Sequence, residues 1–233
     1  MQRHDLAWEC GAGSGQATLD LAGRFGRVIA TDVSSAQLAE APPHPRVDYR
    51  VAPAEASGLE AGVADLAAVA QALHWFDLPR FFAEAERVLR PGGVLAAWCY
   101  GPFRVDDAAA EPPVAAFAAE VHPYWFPERV LVDSGYRTIA FPFTELATPA
   151  FELRAEWTGE QITGYLGTWS ATAAYVKATG RDPMPALREG LARAGVLNRP
   201  CAVEWPLSLR ASRTAETAGL PEGRPAVSLP RSD

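Results

Sequence analysis

The sequence predicts an α/β fold in which helices cover both faces of a doubly wound parallel sheet. Two observations lead to this prediction. Over the first hundred residues, short apolar runs alternate with segments of helical periodicity. The apolar runs are nearly continuous rather than alternating with polar residues, which is typical of parallel strands that are covered on both faces.

The amino-terminal half contains five predicted strands. They are residues 6–10, 27–32, 47–52, 65–73 and 94–100. Helices are predicted after the glycine cluster at 11–15, over 34–41 and over 77–89. In the last of these helices Phe81, Ala85 and Val88 share one face, Asp77 is a plausible N-cap, and the RPGG sequence ends the helix.

The regular alternation fades beyond residue 101. Residues 151–157 alternate like an antiparallel strand, and 158–180 are predicted to be one helix that begins with a capping box. A further helix is predicted over 183–195. Residues 201–209 are predicted to be the last strand, at a sheet edge because Pro206 lacks an N–H group.

A domain boundary is predicted at residue 209. Residues 210–233 contain three prolines and no aromatic residue, so they are predicted to be a disordered tail. Residues 1–209 are then one domain, a normal size for a single hydrophobic core.

Composition excludes several classes of protein. The formal charge of −7 argues against a nucleic-acid-binding protein, whose binding face is usually basic. We find no apolar run long enough to span a membrane and no signal peptide. Three widely spaced cysteines predict free thiols and therefore a cytoplasmic location. No cluster of His, Cys and Asp has metal-ligand spacing, so no metal is predicted.

The glycine cluster at 11–15 follows the first predicted strand and begins a helix, a position where backbone N–H groups face a ligand. Glu9 precedes it at the strand end, where a carboxylate suits an ammonium group and repels a pyrophosphate. Asp32 ends the second strand and can accept hydrogen bonds from ribose hydroxyls. These features describe S-adenosylmethionine, a phosphate-free nucleoside with an amino-acid end. The alternative is a loop of small residues that only closes a strand–helix turn.

The chain resembles the class I S-adenosylmethionine-dependent methyltransferases, in the type 11 domain class and its trans-aconitate methyltransferase-like branch. The matching sequences are WECGAGSGQAT (8–18), VIATDVSSAQL (28–38), the AE pair (54–55), QALHWFD (71–77), ERVLRPGGVLAAW (86–98) and TWSATAAY (168–175). The resemblance covers residues 5–209. It implies a Rossmann-like, mostly parallel seven-stranded sheet whose last strand, 201–209, is antiparallel.

The resemblance also implies which residues bind the cofactor. The methionine end, the ribose, the adenine and the methyl-bearing end are each expected to contact part of this set. The implied residues are Glu9, Gly11, Gly13, Gln16, Asp32, Val33, Ala54, Glu55, Gln71 and Ala72. Members of the family usually have a helical lid before the first strand. Here that strand is predicted to start near residue 6, so the lid helix is expected to be missing.

Methyl transfer depends mainly on positioning the acceptor, and a general base is needed only if the acceptor loses a proton. His74 is the candidate base, and the alternative, which the residue type favours, is a loop histidine that only hydrogen-bonds locally. The candidate substrate residues are Trp75, Tyr100, Tyr124 and Trp169. A carboxylate acceptor would need an arginine, for which Arg104, Arg129 and Arg137 are candidates.

The predicted function is S-adenosylmethionine-dependent methyl transfer to a small-molecule acceptor that carries a carboxylate or a hydroxyl group. One alternative is a lid-less or non-catalytic protein that only binds the cofactor. A second is an NAD(P)-dependent oxidoreductase, which Gln16 disfavours because the dinucleotide fingerprint has glycine at that position. The sequence predicts no oligomeric state.

Overall fold

The computed structural model describes residues 4–216, and within that range nine strands form one sheet. The strands are β1 Leu6–Cys10, β2 Arg27–Asp32, β3 Val47–Val51, β4 Ala64–Ala70, β5 Leu89–Tyr100, β6 Arg104–Asp106, β7 Thr144–Leu146, β8 Phe151–Thr158 and β9 Pro200–Arg213. The helices are α1 Thr18–Ala22, α2 Ser35–Ala39, α3 Leu78–Val88, α4 Glu111–Val121, α5 Arg129–Asp133, α6 Gly159–Gly167, α7 Ser170–Thr179 and α8 Met184–Arg193. Short 3₁₀ turns span Leu73–Trp75 and His122–Tyr124.

The predicted doubly wound architecture is confirmed. Strands β1 to β5 are parallel and lie in the order β3-β2-β1-β4-β5, and β9 joins β5 in antiparallel orientation. The sheet has two strands more than the seven predicted, because the short strands β6 and β7 also pair with β9. The chain leaves β1 towards β2 and returns on the other side of β1 at β4, which makes the β1–β4 junction a topological switch point.

The position predicted for the last strand, at a sheet edge, is wrong. β9 lies inside the sheet, because residues 202–204 pair with β6 on one side and with β8 on the other. The carbonyl of Pro206 accepts a hydrogen bond of 2.7 Å from the Gly101 N–H, so the main chain of Pro206 faces the interval between β5 and β6. The missing N–H of this proline therefore falls where the neighbouring strand is interrupted, and an interior strand tolerates it.

The helix predicted over 158–180 is two helices. Its start is as predicted, since Thr158 and Gln161 form a capping box. Helix α6 ends at Gly167, where the Thr168 hydroxyl donates to the carbonyl of Tyr165, and α7 begins after Trp169. This local hydrogen bond competes with continuation of the helix.

Two large hydrophobic clusters form most of the core, and a smaller third cluster packs Ala22 and Phe25 against Ala7 and Val28. One fills the space between α3 and the sheet around Trp8, Phe81 and Leu95, all of which are fully buried. The other lies where α4, α6, α7 and α8 pack against β9, around Ile162 and Leu191. Helices α4 and α5 belong to the segment 106–141, for which the sequence analysis assigns no element.

A buried carboxylate connects the start of β1 to the sheet. Asp65 accepts hydrogen bonds from the N–H groups of Asp5 and Leu6, at 2.6 and 3.0 Å, and pairs with Arg90 at 2.5 Å. These contacts fix the position at which the chain enters the sheet, and therefore the register of β1.

The last strand ends at Arg213, beyond the domain boundary predicted at 209. The prediction of disorder is therefore wrong for 210–213, and its part from 217 onward lies outside the described residues. Among the residues that the structure describes, we find no helix with the length and apolarity needed to cross a membrane.

Replacing Phe81 with alanine tests the packing of α3 on the sheet. The ring is fully buried against Trp8 and Phe76, so Phe81→Ala is expected to lower the free energy of unfolding by about 3–5 kcal/mol. Urea unfolding measures this loss. Val130→Ala is the control, since Val130 is 65% exposed and its truncation is expected to cost less than about 0.5 kcal/mol. Equal losses in the two variants would contradict the described core.

Candidate functional site

A cavity of about 830 Å³ opens at the carboxyl ends of β1, β2, β4 and β5. This is the edge of the sheet where open α/β folds bind ligands, next to the switch point between β1 and β4. Its lining includes Glu9 from β1, Asp32 from β2, Gln71 after β4 and Tyr100 from β5. Parallel strands place their carboxyl ends together, so residues that are distant in sequence meet here.

The glycine loop after β1 forms one wall of the cavity. Gly11 has a φ of +70°, and a Cβ added to it would lie 2.6 Å from the Cβ of Ala72. Gly13 has a φ of +57°, and its added Cβ would lie 2.9 Å from Oε1 of Gln37. The positive φ favours glycine at both positions, and at Gly11 the nearby Cβ of Ala72 also leaves no space for a side chain.

Asp32 joins this loop to the loop after β2. One carboxylate oxygen accepts from the Gly13 N–H and the other from the Ser34 N–H, each at 2.8 Å. Both oxygens face the junction of the two loops and keep lone pairs for a further donor. This is the geometry needed to accept hydrogen bonds from vicinal hydroxyl groups.

The acidic residue Glu9 is buried, with 1% of its surface exposed. Its Oε2 accepts from the Thr18 hydroxyl at 2.5 Å. Burial, with a smaller contribution from the charge of Asp32, raises the pKa of Glu9 to about 7. Across residues 4–216 we find no arginine, lysine or histidine paired with Glu9. The cavity therefore contains a desolvated acid that a cationic ligand would stabilise.

The end of the cavity next to β4 and β5 is aromatic. Gln71 has a φ of 55°, unusual for a residue other than glycine, and its Oε1 accepts from the Tyr100 N–H at 2.9 Å. Its own N–H donates to the Trp98 carbonyl at 2.9 Å. These bonds connect the ends of β4 and β5. The rings of Trp75, which is 58% exposed, and of Trp98 and Tyr100 line this end.

The structure brings together all ten residues predicted to bind the cofactor. Besides those described above, Gln16, Val33, Ala54, Glu55 and Ala72 line the same cavity. Glu55 also accepts from the Asp77 N–H at 2.8 Å, which connects the cavity to the N-cap of α3.

Six other candidate site residues are not among those lining the cavity: His74, Tyr124, Trp169 and the arginines Arg104, Arg129 and Arg137. His74 is buried, its Nδ1 lies 3.0 Å from the Tyr136 hydroxyl, and its ring stacks on Phe126. Burial, aided by the positive charge of Arg129, lowers the pKa of His74 to about 4. Its role as a base stays a prediction that this environment does not favour.

Tyr124 and Trp169 pack in the second hydrophobic cluster. The Tyr124 ring meets Tyr175 edge-on at 5.2 Å between centroids, and Trp169 lies 5.3 Å from Trp125. Both rings therefore serve the packing of α7, and the sequence alone does not separate this role from substrate contact.

The sequence analysis missed several lining residues, among them Trp98, Phe76 and Gln37. Trp98 could have been found, because it lies near the carboxyl end of a predicted parallel strand. Gln37 has no comparable signal, since a glutamine on a short polar helix is ordinarily a surface residue.

Comparison with known proteins identifies the family. A methyltransferase-domain family model matches residues 8–97. A Dictyostelium discoideum protein named as a methyltransferase is 37% identical over 196 residues, which cover 83% of this chain and 74% of that protein. The chain belongs to the class I S-adenosylmethionine-dependent methyltransferases.

Further relatives agree with this assignment. The solved structure of a protein from Anaeromyxobacter dehalogenans, named as a type II methyltransferase, is similar to this methyltransferase with a TM-score of 0.83 and 47% identity, over 91% of both chains. A Saccharomyces cerevisiae protein named as an S-adenosylmethionine-dependent methyltransferase is 34% identical over 100 residues, 40% of this chain and 34% of the yeast protein. The methyltransferase therefore uses S-adenosylmethionine, and the alternative of a nicotinamide-dependent oxidoreductase is wrong.

The residues of the cavity fit this cofactor. The cofactor has a cationic amino-acid end, and Glu9 is a buried acid with no cationic partner among the described residues. It also has a ribose, and Asp32 is held with both oxygens at the junction of two loops. The close backbone approach at Gly11 leaves no room for a side chain beside Ala72.

The buried acid makes stability depend on pH. The folded methyltransferase keeps a proton on Glu9 up to about pH 7, whereas the unfolded chain loses it near 4.5, so the free energy of unfolding falls as pH rises between these values. Glu9→Gln removes this titration. The free energy of unfolding of the variant minus that of wild type is expected to be about 2 kcal/mol larger at about pH 8 than at about pH 5.5.

Urea unfolding of the ligand-free protein at the two pH values measures the gain. Glu55→Gln is the matched control, because Glu55 lines the same cavity at a more exposed position. A stability difference between wild type and Glu9→Gln that is the same at both pH values would contradict the raised pKa.

Proposed function

We propose that this methyltransferase modifies a small-molecule acceptor that carries a carboxylate or a hydroxyl group. The observation that supports the proposal is that one cavity is lined both by the acids Glu9 and Asp32, from β1 and β2, and by the aromatic rings of Trp75, Trp98 and Tyr100, from the β4 and β5 side. When bound, S-adenosylmethionine supplies an electrophilic methyl group. The residues of the chain bind, orient and desolvate the two reactants.

In this proposal the ten predicted residues bind the cofactor. Glu9 meets the ammonium group and Asp32 the ribose hydroxyls, with the loop at Gly11 and Gly13 between them. Val33, Ala54 and Glu55 flank the adenine, and Gln71 and Ala72 lie at the methyl-bearing end. The strained backbone of Gln71 supports a functional role for that turn, since strain of this kind concentrates at binding sites.

The acceptor is proposed to lie against the aromatic end. Trp75 is 58% exposed although it is a large apolar residue, and its ring lies 4.4 Å from that of Phe126. An acceptor covering the exposed part of Trp75 would be desolvated beside the cofactor, and such positioning supplies most of the rate of a displacement reaction.

Arg129 is the best of the three arginines proposed for a carboxylate acceptor, the class favoured by the trans-aconitate methyltransferase-like resemblance. Burial raises the pKa of Tyr100, and the positive charge of Arg129 partly offsets this rise. Its guanidinium lies 4.3 Å from the centre of the Trp125 ring and pairs with Asp133 at 2.8 Å. Arg104 pairs with Glu204 and Arg137 is exposed, and neither charge is among those that act on Tyr100.

His74 is proposed to support the aromatic end rather than to act as the base. Its ring lies 4.7 Å from that of Trp75 and is held by Tyr136. A carboxylate acceptor is already ionised at neutral pH and requires no base.

We further propose that the protein acts in the cytoplasm as one methyltransferase domain. Buried free thiols at Cys10, Cys99 and Cys201 support a reducing compartment. The pairing of the described strands in one sheet supports a single domain. The net charge of −7 supports a small molecule rather than a nucleic acid as substrate.

Asp32→Ala tests the cofactor site. The variant is expected to weaken binding of S-adenosylhomocysteine by about 1–3 kcal/mol, because the ribose hydroxyls lose a charged acceptor. Isothermal titration calorimetry measures the change. Asp106→Ala removes an exposed carboxylate from β6 and is the matched control, expected to bind like wild type. Equal affinities of Asp32→Ala and the control would contradict the assignment of the ribose site.

Trp75→Ala tests the acceptor site separately. A panel of carboxylic acids and alcohols, assayed with methyl-labelled cofactor, first identifies the acceptor. The variant is then expected to raise the acceptor KM about tenfold, since an exposed aromatic wall is lost, and to leave cofactor affinity within about twofold of wild type. Trp75→Phe keeps an aromatic ring, so its acceptor KM should lie between those of wild type and Trp75→Ala. A loss of cofactor affinity with an unchanged acceptor KM would place Trp75 in the cofactor site instead.

A further inference from the structure

The outer edge of β8 has no strand beside it within residues 4–216. β8 pairs with β9 over its whole length, from Phe151 to Thr158, and with no other strand. Phe151 and Leu153 are 47% and 50% exposed on the face that continues to Trp157. An edge of this length with exposed apolar residues is a surface to which another strand can add.

The main-chain groups available at this edge follow from the pairing of β9. The Pro206 carbonyl faces β5 and β6, because it accepts from Gly101. Since successive residues of a strand alternate, the main chain of Trp205 faces β8 and bonds its register partner Leu153. The N–H and C=O groups of the next residues on either side, Glu152 and Arg154, then point outward, as do those of Glu156.

The three residues with outward main-chain groups form an alternating charge pattern on one face of β8. Arg154 lies between Glu152 and Glu156, and its guanidinium is 3.9 Å from the Glu204 carboxylate on β9. The guanidinium is also 2.9 Å from the Glu152 carboxylate, with side-chain exposures of 67% and 55%. Both side chains are exposed enough to exchange this partner for another. The pattern carries opposite charges two residues apart, which is the spacing that an antiparallel copy of the same strand can match.

We propose that a second copy of the chain adds to β8 in antiparallel, two-fold symmetric pairing. Of the symmetric registers, those centred on Glu152, Arg154 or Glu156 place like charges directly opposite each other, which destabilises a sheet. Registers centred on Leu153 or Ala155 place Arg154 opposite Glu152 or Glu156 of the second copy. In these registers the outward main-chain groups also face one another and can form hydrogen bonds.

The apolar face supports the register centred on Leu153. In that register Leu153 faces its own counterpart, and Phe151 faces Ala155, a large residue against a small one. Two exposed apolar side chains are covered in each copy, and each interface contains two Arg154–Glu152 pairs. The resulting contact is isologous, the type that closes as a dimer without further growth.

The other edges of the described sheet are weaker candidates, and β6 and β7 have only three residues each. β3 has five residues, and its Asp48 already pairs with Arg27 at 2.9 Å and with Arg50 at 2.6 Å. Pairing through β3 is therefore treated as an outcome that would overturn the proposal.

Complementary charge variants test the proposal. Wild type is expected to dimerise in sedimentation equilibrium. R154E makes all three positions acidic, and the double variant E152R/E156R makes all three basic, so each is expected to dimerise at least about tenfold more weakly. An equimolar mixture of the two is expected to recover dimers. R193E, on α8 at a side chain that is 74% exposed, is the control with the same charge change as R154E.

Hydrogen exchange locates the interface. The amides of Glu152, Arg154 and Glu156 should gain protection as protein concentration rises, whereas those of Leu153 and Ala155 should be protected at every concentration through β9. The proposal is overturned by a wild-type monomer up to roughly 100 μM, a concentration at which a specific dimer is normally populated. It is also overturned by R154E behaving like R193E, by protection of β3 instead, or by protection of the outward amides in a monomer.

Discussion

The carboxylate of Asp32 is the contact on which the site depends. Its two oxygens accept from Gly13, in the loop after β1, and from Ser34, in the loop after β2. Without this bridge, the positive φ angles of the glycine loop would have only the bonds of Gly11 and Ala12 to the Thr31 carbonyl to hold them against the sheet. The bridge therefore holds the glycine loop beside the end of β2, at the edge of the cavity.

Ionising the buried carboxyl of Glu9 costs free energy in the ligand-free protein. A carboxyl that is 1% exposed, with the Thr18 hydroxyl as its hydrogen-bond donor, is less stable ionised than it would be in water. An ammonium group reverses this, because it supplies the missing charge partner in a medium of low dielectric. In the proposed site, the same burial that destabilises the free protein near neutral pH would favour a cationic ligand over a neutral one.

Most of the sheet and the cofactor side could be predicted, because both follow from strand ends. β1 and β2 have the predicted bounds, and residues at the ends of parallel strands must converge. The placement of His74 could not be predicted in this way, since a 3₁₀ turn over Leu73–Trp75 buries its ring against Tyr136 while Trp75 is exposed to the cavity. The position of the last strand could not be predicted from Pro206 for a related reason. The missing N–H of this proline faces the interval between β5 and β6, and no local sequence pattern reveals that interval.

The two halves of the cavity therefore differ in how strongly the fold constrains them. The cofactor side is built on β1, β2 and β4, whose hydrogen-bonded register leaves little freedom to the residues that follow them. The aromatic side combines the end of β5 with the 3₁₀ turn over Leu73–Trp75. In that turn the rings of His74 and Trp75 pack against Phe126, which lies in the segment between α4 and α5. That segment packs through side chains rather than through a strand register. In the proposed arrangement, changes in that segment would reshape the aromatic side of the cavity and leave the ends of β1, β2 and β4 in place.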